Sequence, residues 1–194
     1  MIKFVNRAFL LLLLMTLLTG IFYPLAVTGM AKALFSRQAS GSLVFLDGKP
    51  IGSALIGQDF TDPKYFHGRP SAAGANGCDA TASGGSNLGP ASRTFLQNVA
   101  RQADAVRDEN YLRQKDSVPA DLVTASASGL DPHISPEAAL IQVHRVAQVR
   151  QLPEQEVRQL VEQHIIGPQL GMLGESRVNV LLLNLDLDKK EMIK

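Results

Sequence analysis

Between Arg7 and Lys32 the chain carries no ionisable side chain except Tyr23, and no other stretch is long and apolar enough to cross a bilayer. The 24 residues from 8 to 31 would form a helix roughly 36 Å long, at about 1.5 Å per residue. That exceeds the ~30 Å hydrocarbon core, so the segment can span with tilt. Pro24 lacks an N–H and its ring crowds the Gly20 carbonyl, which predicts a kink. Thr16 and Gly20 lie one turn apart, and with Pro24 they form a candidate packing face for a second membrane helix.

A cleaved signal peptide is the competing expectation, with Lys3 and Arg7 as its basic region and Ala31-Lys32-Ala33 as the cleavage site. A signal core runs only about 7–15 residues, so length favours a retained anchor. A short basic N-terminus normally stays inside, and long downstream domains translocate with little regard to their own charge. The expected layout is therefore a short cytoplasmic N-terminus (1–7), a transmembrane helix (8–31) and one extracytoplasmic domain (32–194).

The domain is long enough for a single ordinary core. With 19 Lys+Arg against 18 Asp+Glu the net charge is +1, which offers no footprint for nucleic acid. Cys78 is the single cysteine, so packing rather than an internal disulfide must hold the fold.

Periodicity predicts an α+β (mixed α/β) soluble domain behind the single N-terminal transmembrane helix. Residues 42–46 and 51–56 flank Asp47-Gly48-Lys49-Pro50 and read as a β-hairpin. Gly57 to Pro90 is rich in Gly, Ser, Ala and Asn, a loop of a length usually either functional or disordered. A helix is expected from the Ser92 cap to about Arg113. A second begins at Ser135, with Pro136 at its first position and a buried stripe of Ala139, Val143, Val146 and Ala147. A third runs from Pro153 through Val157, Leu160, Val161 and Ile165 to a stop at Gly167-Pro168. Val178 to Asp188 alternates, with Leu181, Leu183, Leu185 and Leu187 on one face, and reads as a strand.

Chemical motifs are sparse. Gly48-Lys49 lacks the upstream glycine and following Ser/Thr of a P-loop, and no G-x-G-x-x-G follows a predicted strand. His67, His133, His144 and His164 include no H-x-x-x-H pair, so a dedicated metal site is not expected. Ser126-Ala-Ser128-Gly129-Leu-Asp131-Pro-His133 holds all three triad residue types and allows an anchored hydrolase as the weakest reading. Neighbours in one short loop rarely point at each other, so a turn leading into the Ser135 cap is the stronger expectation.

Five segments carry a resemblance: Gly52-Ser-Ala-Leu-Ile-Gly-Gln58, Tyr65-Phe-His-Gly-Arg-Pro-Ser71, Ala82-Ser-Gly-Gly-Ser-Asn-Leu88, Leu122-Val-Thr-Ala-Ser-Ala-Ser-Gly-Leu-Asp131 and Arg177-Val-Asn-Val-Leu181. In order and with the anchor, they resemble the KdpC family, the small C subunits of the bacterial Kdp potassium-transporting P-type ATPase. Ala75-Asn-Gly-Cys-Asp79 departs from it, standing where a Tyr-Asn-Pro is expected.

The resemblance implies an inner-membrane complex with a potassium-binding channel-like subunit, a catalytic P-type ATPase subunit and a small fourth subunit. The residues fit an accessory role, since one span cannot enclose an ion path and no Asp-Lys-Thr-Gly phosphorylation motif is present. No catalytic residue, metal or tightly bound cofactor is expected, and the lipid bilayer is a further partner. ATP enters only through the resemblance, in which such subunits are described as catalytic chaperones that raise the ATP affinity of the ATPase subunit. Their Ser83-Gly84-Gly85-Ser86 is likened to the ABC signature, and Ser83, Gly84, Gly85, Ser86 and Asn87 are the implied nucleotide-binding residues. Backbone N–H groups there could form a phosphate-binding nest near the Ser92 helix start. The alternative is a surface turn packed against a partner, which an extracytoplasmic location favours.

Overall fold

The computed structural model describes residues 1–192, and the chain divides into two compact units, Met1–Ile51 and Gly52–Lys194. In the first, α1 (Ile2–Leu17), a five-residue π-helical turn (Leu18–Phe22) and α2 (Tyr23–Leu34) form one apolar helix of 33 residues. It is long and apolar enough to cross a membrane, and none of its residues is buried. A kink is expected at Pro24, and the structure has that π turn just before it. The Tyr23 N–H reaches back five residues to the Leu18 carbonyl, widening the helix where a proline ring would otherwise crowd it.

After a single turn, α3 (Ser36–Ala39), strands β1 (Leu43–Leu46) and β2 (Lys49–Ser53) form the expected hairpin. Asp47 and Gly48 both have positive φ, +50° and +76°, the pattern of a two-residue turn matched to strand twist. Lys49 and Pro50, expected in the turn, belong to β2 instead. A two-stranded sheet leaves an edge position where the missing proline N–H costs nothing.

The second unit holds a three-stranded antiparallel sheet in the order β3 (His133–Ile134), β5 (Arg177–Asn179), β4 (Ile165–Ile166). Val178 is central, opposite Ile134 on one side and Ile165 on the other. Ile165, expected in the third helix, is therefore a strand residue. The helices are α4 (Arg93–Glu109), α5 (Pro136–Leu140), α6 (Val143–Arg150), α7 (Glu154–Gln163) and α8 (Val180–Met192). The expected second helix is thus split at Ile141-Gln142, and α7 packs against α5, α6 and α8. The core joins Phe66, Val143, Val146, Val157, Val161, Val178, Leu183 and Leu187.

The caps follow the sequence. Ser135 Oγ accepts from the Ala138 N–H at 3.1 Å, and Asp121 holds the Ser135 N–H at 2.6 Å. Helix α4 stops short of Arg113, because the Asn110 side chain donates to the Val106 carbonyl at 2.8 Å and Tyr111 turns to φ +57°.

The expected strand from Val178 to Asp188 is the main correction. Only Arg177–Asn179 is strand; from Val180 the chain is helical. Asn179 caps that helix, its Oδ1 accepting from the Leu182 N–H at 3.1 Å. Val180, Leu183, Asn184 and Leu187 are buried, the i, i+3, i+4, i+7 stripe of a helix. Leucine is a good helix former, unlike the β-branched residues that favour strands.

Candidate functional site

The long loop from Gly57 to Pro90 has no strand or helix, yet its first half is fixed from several directions. Phe66 is fully buried. Its N–H donates to Asn184 Oδ1 at 2.8 Å, and its carbonyl accepts from Asn184 Nδ2 at 2.9 Å. Next along the chain, the His67 N–H donates to Gln142 Oε1 at 2.7 Å and its carbonyl accepts from Gln142 Nε2 at 3.1 Å. Two side-chain amides thus do for adjacent residues what a neighbouring strand would do, satisfying donor and acceptor together.

Two arginines complete the lock. Arg145, 2 % exposed, donates from Nη1 to the carbonyls of Pro63 and Tyr65, from Nη2 to Gln142 Oε1 and from Nε to Asn110 Oδ1. Glu109 lies 3.8 Å from its Nε and also 3.1 Å from His67 Nδ1. The hydrogen bond with His67, helped by the charge of Arg145, holds the Glu109 carboxyl below its ordinary range. Arg150 donates to the Lys64 carbonyl at 2.7 Å and to Asp188 at 2.7 Å, with its guanidinium 4.9 Å from the Tyr65 ring centre. The Tyr65 hydroxyl donates to the other Asp188 oxygen at 3.1 Å.

The second half of the loop carries the glycine-rich residues. Ser71 Oγ organises it, donating to the Gly129 carbonyl at 2.6 Å and accepting from the N–H groups of Ala73 and Cys78. Ser83 Oγ and the Gly84 N–H both donate to the Ser128 carbonyl, at 3.0 and 2.9 Å. Gly85 lies against the same loop: a Cβ there would stand 3.0 Å from the Ala127 carbonyl oxygen. Its close approach is what demands glycine, since neither Gly84 nor Gly85 has positive φ. Within Ser83–Asn87 the left-handed conformation occurs at Asn87 alone, φ +53°. Ser86 lines a groove of about 300 Å³ with Ser71, Leu88, Phe95, Asn98 and Arg101.

The triad-like loop brings no base to a serine. The Ser128 hydroxyl meets Ser126 Oγ at 3.3 Å and the Leu130 N–H at 3.1 Å, while the His133 ring turns to Asp131 at 3.5 Å. Asp131 also holds Arg69 at 3.1 Å. Its carboxyl is lowered by the His133 hydrogen bond first and by Arg69 next.

Thr16, Gly20 and Pro24 all lie on the apolar helix, Gly20 inside the π turn with open space where a Cβ would project. Asn184, Gln142, Arg145 and Arg150 were not singled out from the sequence. Asn184 falls opposite the leucine face of the expected strand, and the other three carry no spacing signal.

Among the described residues the chain combines one apolar helix long enough to cross a membrane with a small mixed α/β domain, the layout of a single-span membrane subunit. A family model described as "K+-transporting ATPase, c chain" matches residues 5–189. A potassium-transporting ATPase KdpC subunit of Polaromonas naphthalenivorans is 59 % identical over 181 residues, 93 % of this chain and 92 % of the relative. The corresponding subunit of Gemmatimonas aurantiaca is 55 % identical over 188 residues, 97 % and 94 % of the two chains. That of Nitratidesulfovibrio vulgaris is 59 % identical over 177 residues, 91 % and 89 %. The chain belongs to the KdpC family.

Proposed function

We propose that this protein is a non-catalytic accessory subunit of a high-affinity, ATP-driven potassium uptake pump, anchored in the bacterial inner membrane with its domain outside the cytoplasm. It serves assembly and regulation by contact with the channel-like, P-type ATPase and small fourth subunits. The observation that carries this reading is the family match running through both the unburied apolar helix and the domain. An apolar helix with none of its residues buried needs lipid and partner helices around it. Thr16, Gly20 and Pro24 offer the close-packing face for a partner.

A second reading keeps the domain as an ATP-binding chaperone of the pump, through Ser83–Asn87. It is favoured by the groove that Ser86 and Arg101 share beside α4. Against it stand the Gly84 N–H and Ser83 hydroxyl, both already given to Ser128. Cytoplasmic ATP would also be absent from an extracytoplasmic domain.

Sidedness separates the two. Cys78 is half-buried, so the probe is better moved to exposed Ala100 on α4 in a Cys78→Ser, Ala100→Cys double variant. An impermeant maleimide should label it fully in intact spheroplasts. Labelling only after the membrane is opened would place the domain with cytoplasmic ATP and replace the first reading by the second.

A further inference from the structure

The connection between β4 and β5 ends in a small hairpin tip that offends two ordinary rules at once. Leu170 is 89 % exposed, Met172 79 % and Leu173 56 %. Leu170 also has φ +54°, a conformation that bulky side chains avoid and that usually persists where a function requires it. The tip is nevertheless firmly made. Gln169 and Leu173 exchange both backbone hydrogen bonds, at 2.8 and 2.9 Å, and the N–H groups of Gly171 and Met172 are given to the carbonyls of Pro168 and Gln169. From Ile165 to Gly174 no residue is ionisable.

We infer that this tip inserts into the membrane surface, with Leu170, Met172 and Leu173 among the lipid headgroups and the first acyl carbons. The inference rests on the reading of the apolar helix as a membrane anchor. Three lines favour lipid as the occupant. The 17 residues from Phe35 to Ile51 that join the helix to the second unit can extend no further than about 60 Å, so the domain is held near a bilayer throughout its life. Tethering of this kind makes a weak additional contact count, because the second binding event is intramolecular. An uncharged segment with its turn hydrogen bonds closed internally can enter the interface without stripping water from a charge or from those backbone groups. By contrast, three side chains at a tip fall well short of the ≈ 800 Å² per partner of a standard protein interface.

The chain contains no tryptophan, so one introduced indole reports its own site. Leu170→Trp and, at a position with ordinary backbone, Met172→Trp would be compared in the full-length protein reconstituted into phosphatidylcholine vesicles containing lipids brominated at known depths. Ile21→Trp in the apolar helix and Ala105→Trp on exposed α4 serve as references. The tip indoles should emit blue-shifted and lose most of their intensity to bromines placed near the headgroup, Ile21→Trp should be quenched by deep bromines, and Ala105→Trp should be untouched. Tip variants that behave like Ala105→Trp while Ile21→Trp is quenched would overturn the inference and leave the anchor standing. Absence of quenching at Ile21→Trp as well would remove the anchor and the inference together. Shielding of the tip only after the other pump subunits are added would assign it to a protein partner and overturn the lipid assignment.

Discussion

The two halves of the loop from Gly57 to Pro90 hold their shape by opposite means. From Pro63 to His67 the backbone is gripped by side chains distant in sequence: Asn184 and Gln142 take both polar groups of Phe66 and His67, and Arg145 and Arg150 take the carbonyls of Pro63, Lys64 and Tyr65. From Ser71 to Leu88 the anchors are mostly local, with Ser71 serving Ala73 and Cys78, Asp79 serving Thr81, and the Ser126–Gly129 loop as the distant hydrogen-bonding partner among the described residues. The first half is fixed into the core and the second rests on another loop. A loop can therefore be as constrained as a strand when its peptide groups are satisfied from elsewhere. Its neighbour keeps the small-residue surface that a partner could pack against.

Removing the grip on the first half should have the largest effect. Arg145→Met would leave the carbonyls of Pro63 and Tyr65, Asn110 Oδ1 and Gln142 Oε1 without their buried cationic donor, and stranding several such acceptors together costs about 3–5 kcal/mol. Asn184→Leu would strand the Phe66 N–H and carbonyl, for a loss of about 2–4 kcal/mol. Urea unfolding of the full chain in detergent, with proteolysis mapping cuts near residues 60–70, should show both. Losses below about 1 kcal/mol would mean that the amide and guanidinium contacts are incidental.

The second half should respond to backbone geometry instead. Gly129 has φ +66°, and a Cβ there would stand 2.6 Å from the Gly84 carbonyl oxygen. Gly129→Ala should therefore cost roughly 2–3 kcal/mol by strain and overpacking. Gly84→Ala meets nothing within 4 Å and should change stability by no more than about 0.5 kcal/mol. Equal effects of the two in the same unfolding assay would contradict the packing of Gly84 and Gly85 against the Ser126–Gly129 loop.

Much of the architecture could be read along the chain because its signals are local. The uncharged run to Ala31, the Asp47-Gly48 turn and the Ser92 and Ser135 caps each specify their own neighbourhood. The segment after Val178 misled because its leucines satisfy a period of 2 and a helical stripe together, and the deciding residue is the cap Asn179. Asn179 followed by an apolar run was a legible N-terminal signal. The lock on residues 63–67 was not legible in the same way. Asn184 lies 118 positions from Phe66 and Gln142 75 from His67, and nothing in their local spacing marks a side-chain amide that will read a distant backbone. The implied nucleotide residues Ser83–Asn87 were recognisable as a segment, but the engagement of Gly84 with Ser128 depends on a loop some forty residues away.

Whether the less constrained half binds phosphate or serves as a packing surface is the central question, and calorimetric titration of ATP into the full-length protein addresses it most directly. No saturable heat is expected from the wild type, and none from Ser86→Ala or Arg101→Ala. Saturable ATP binding to the wild type that either substitution abolishes, with unfolding behaviour unchanged, would contradict the accessory-subunit account and assign the groove beside α4 to a nucleotide.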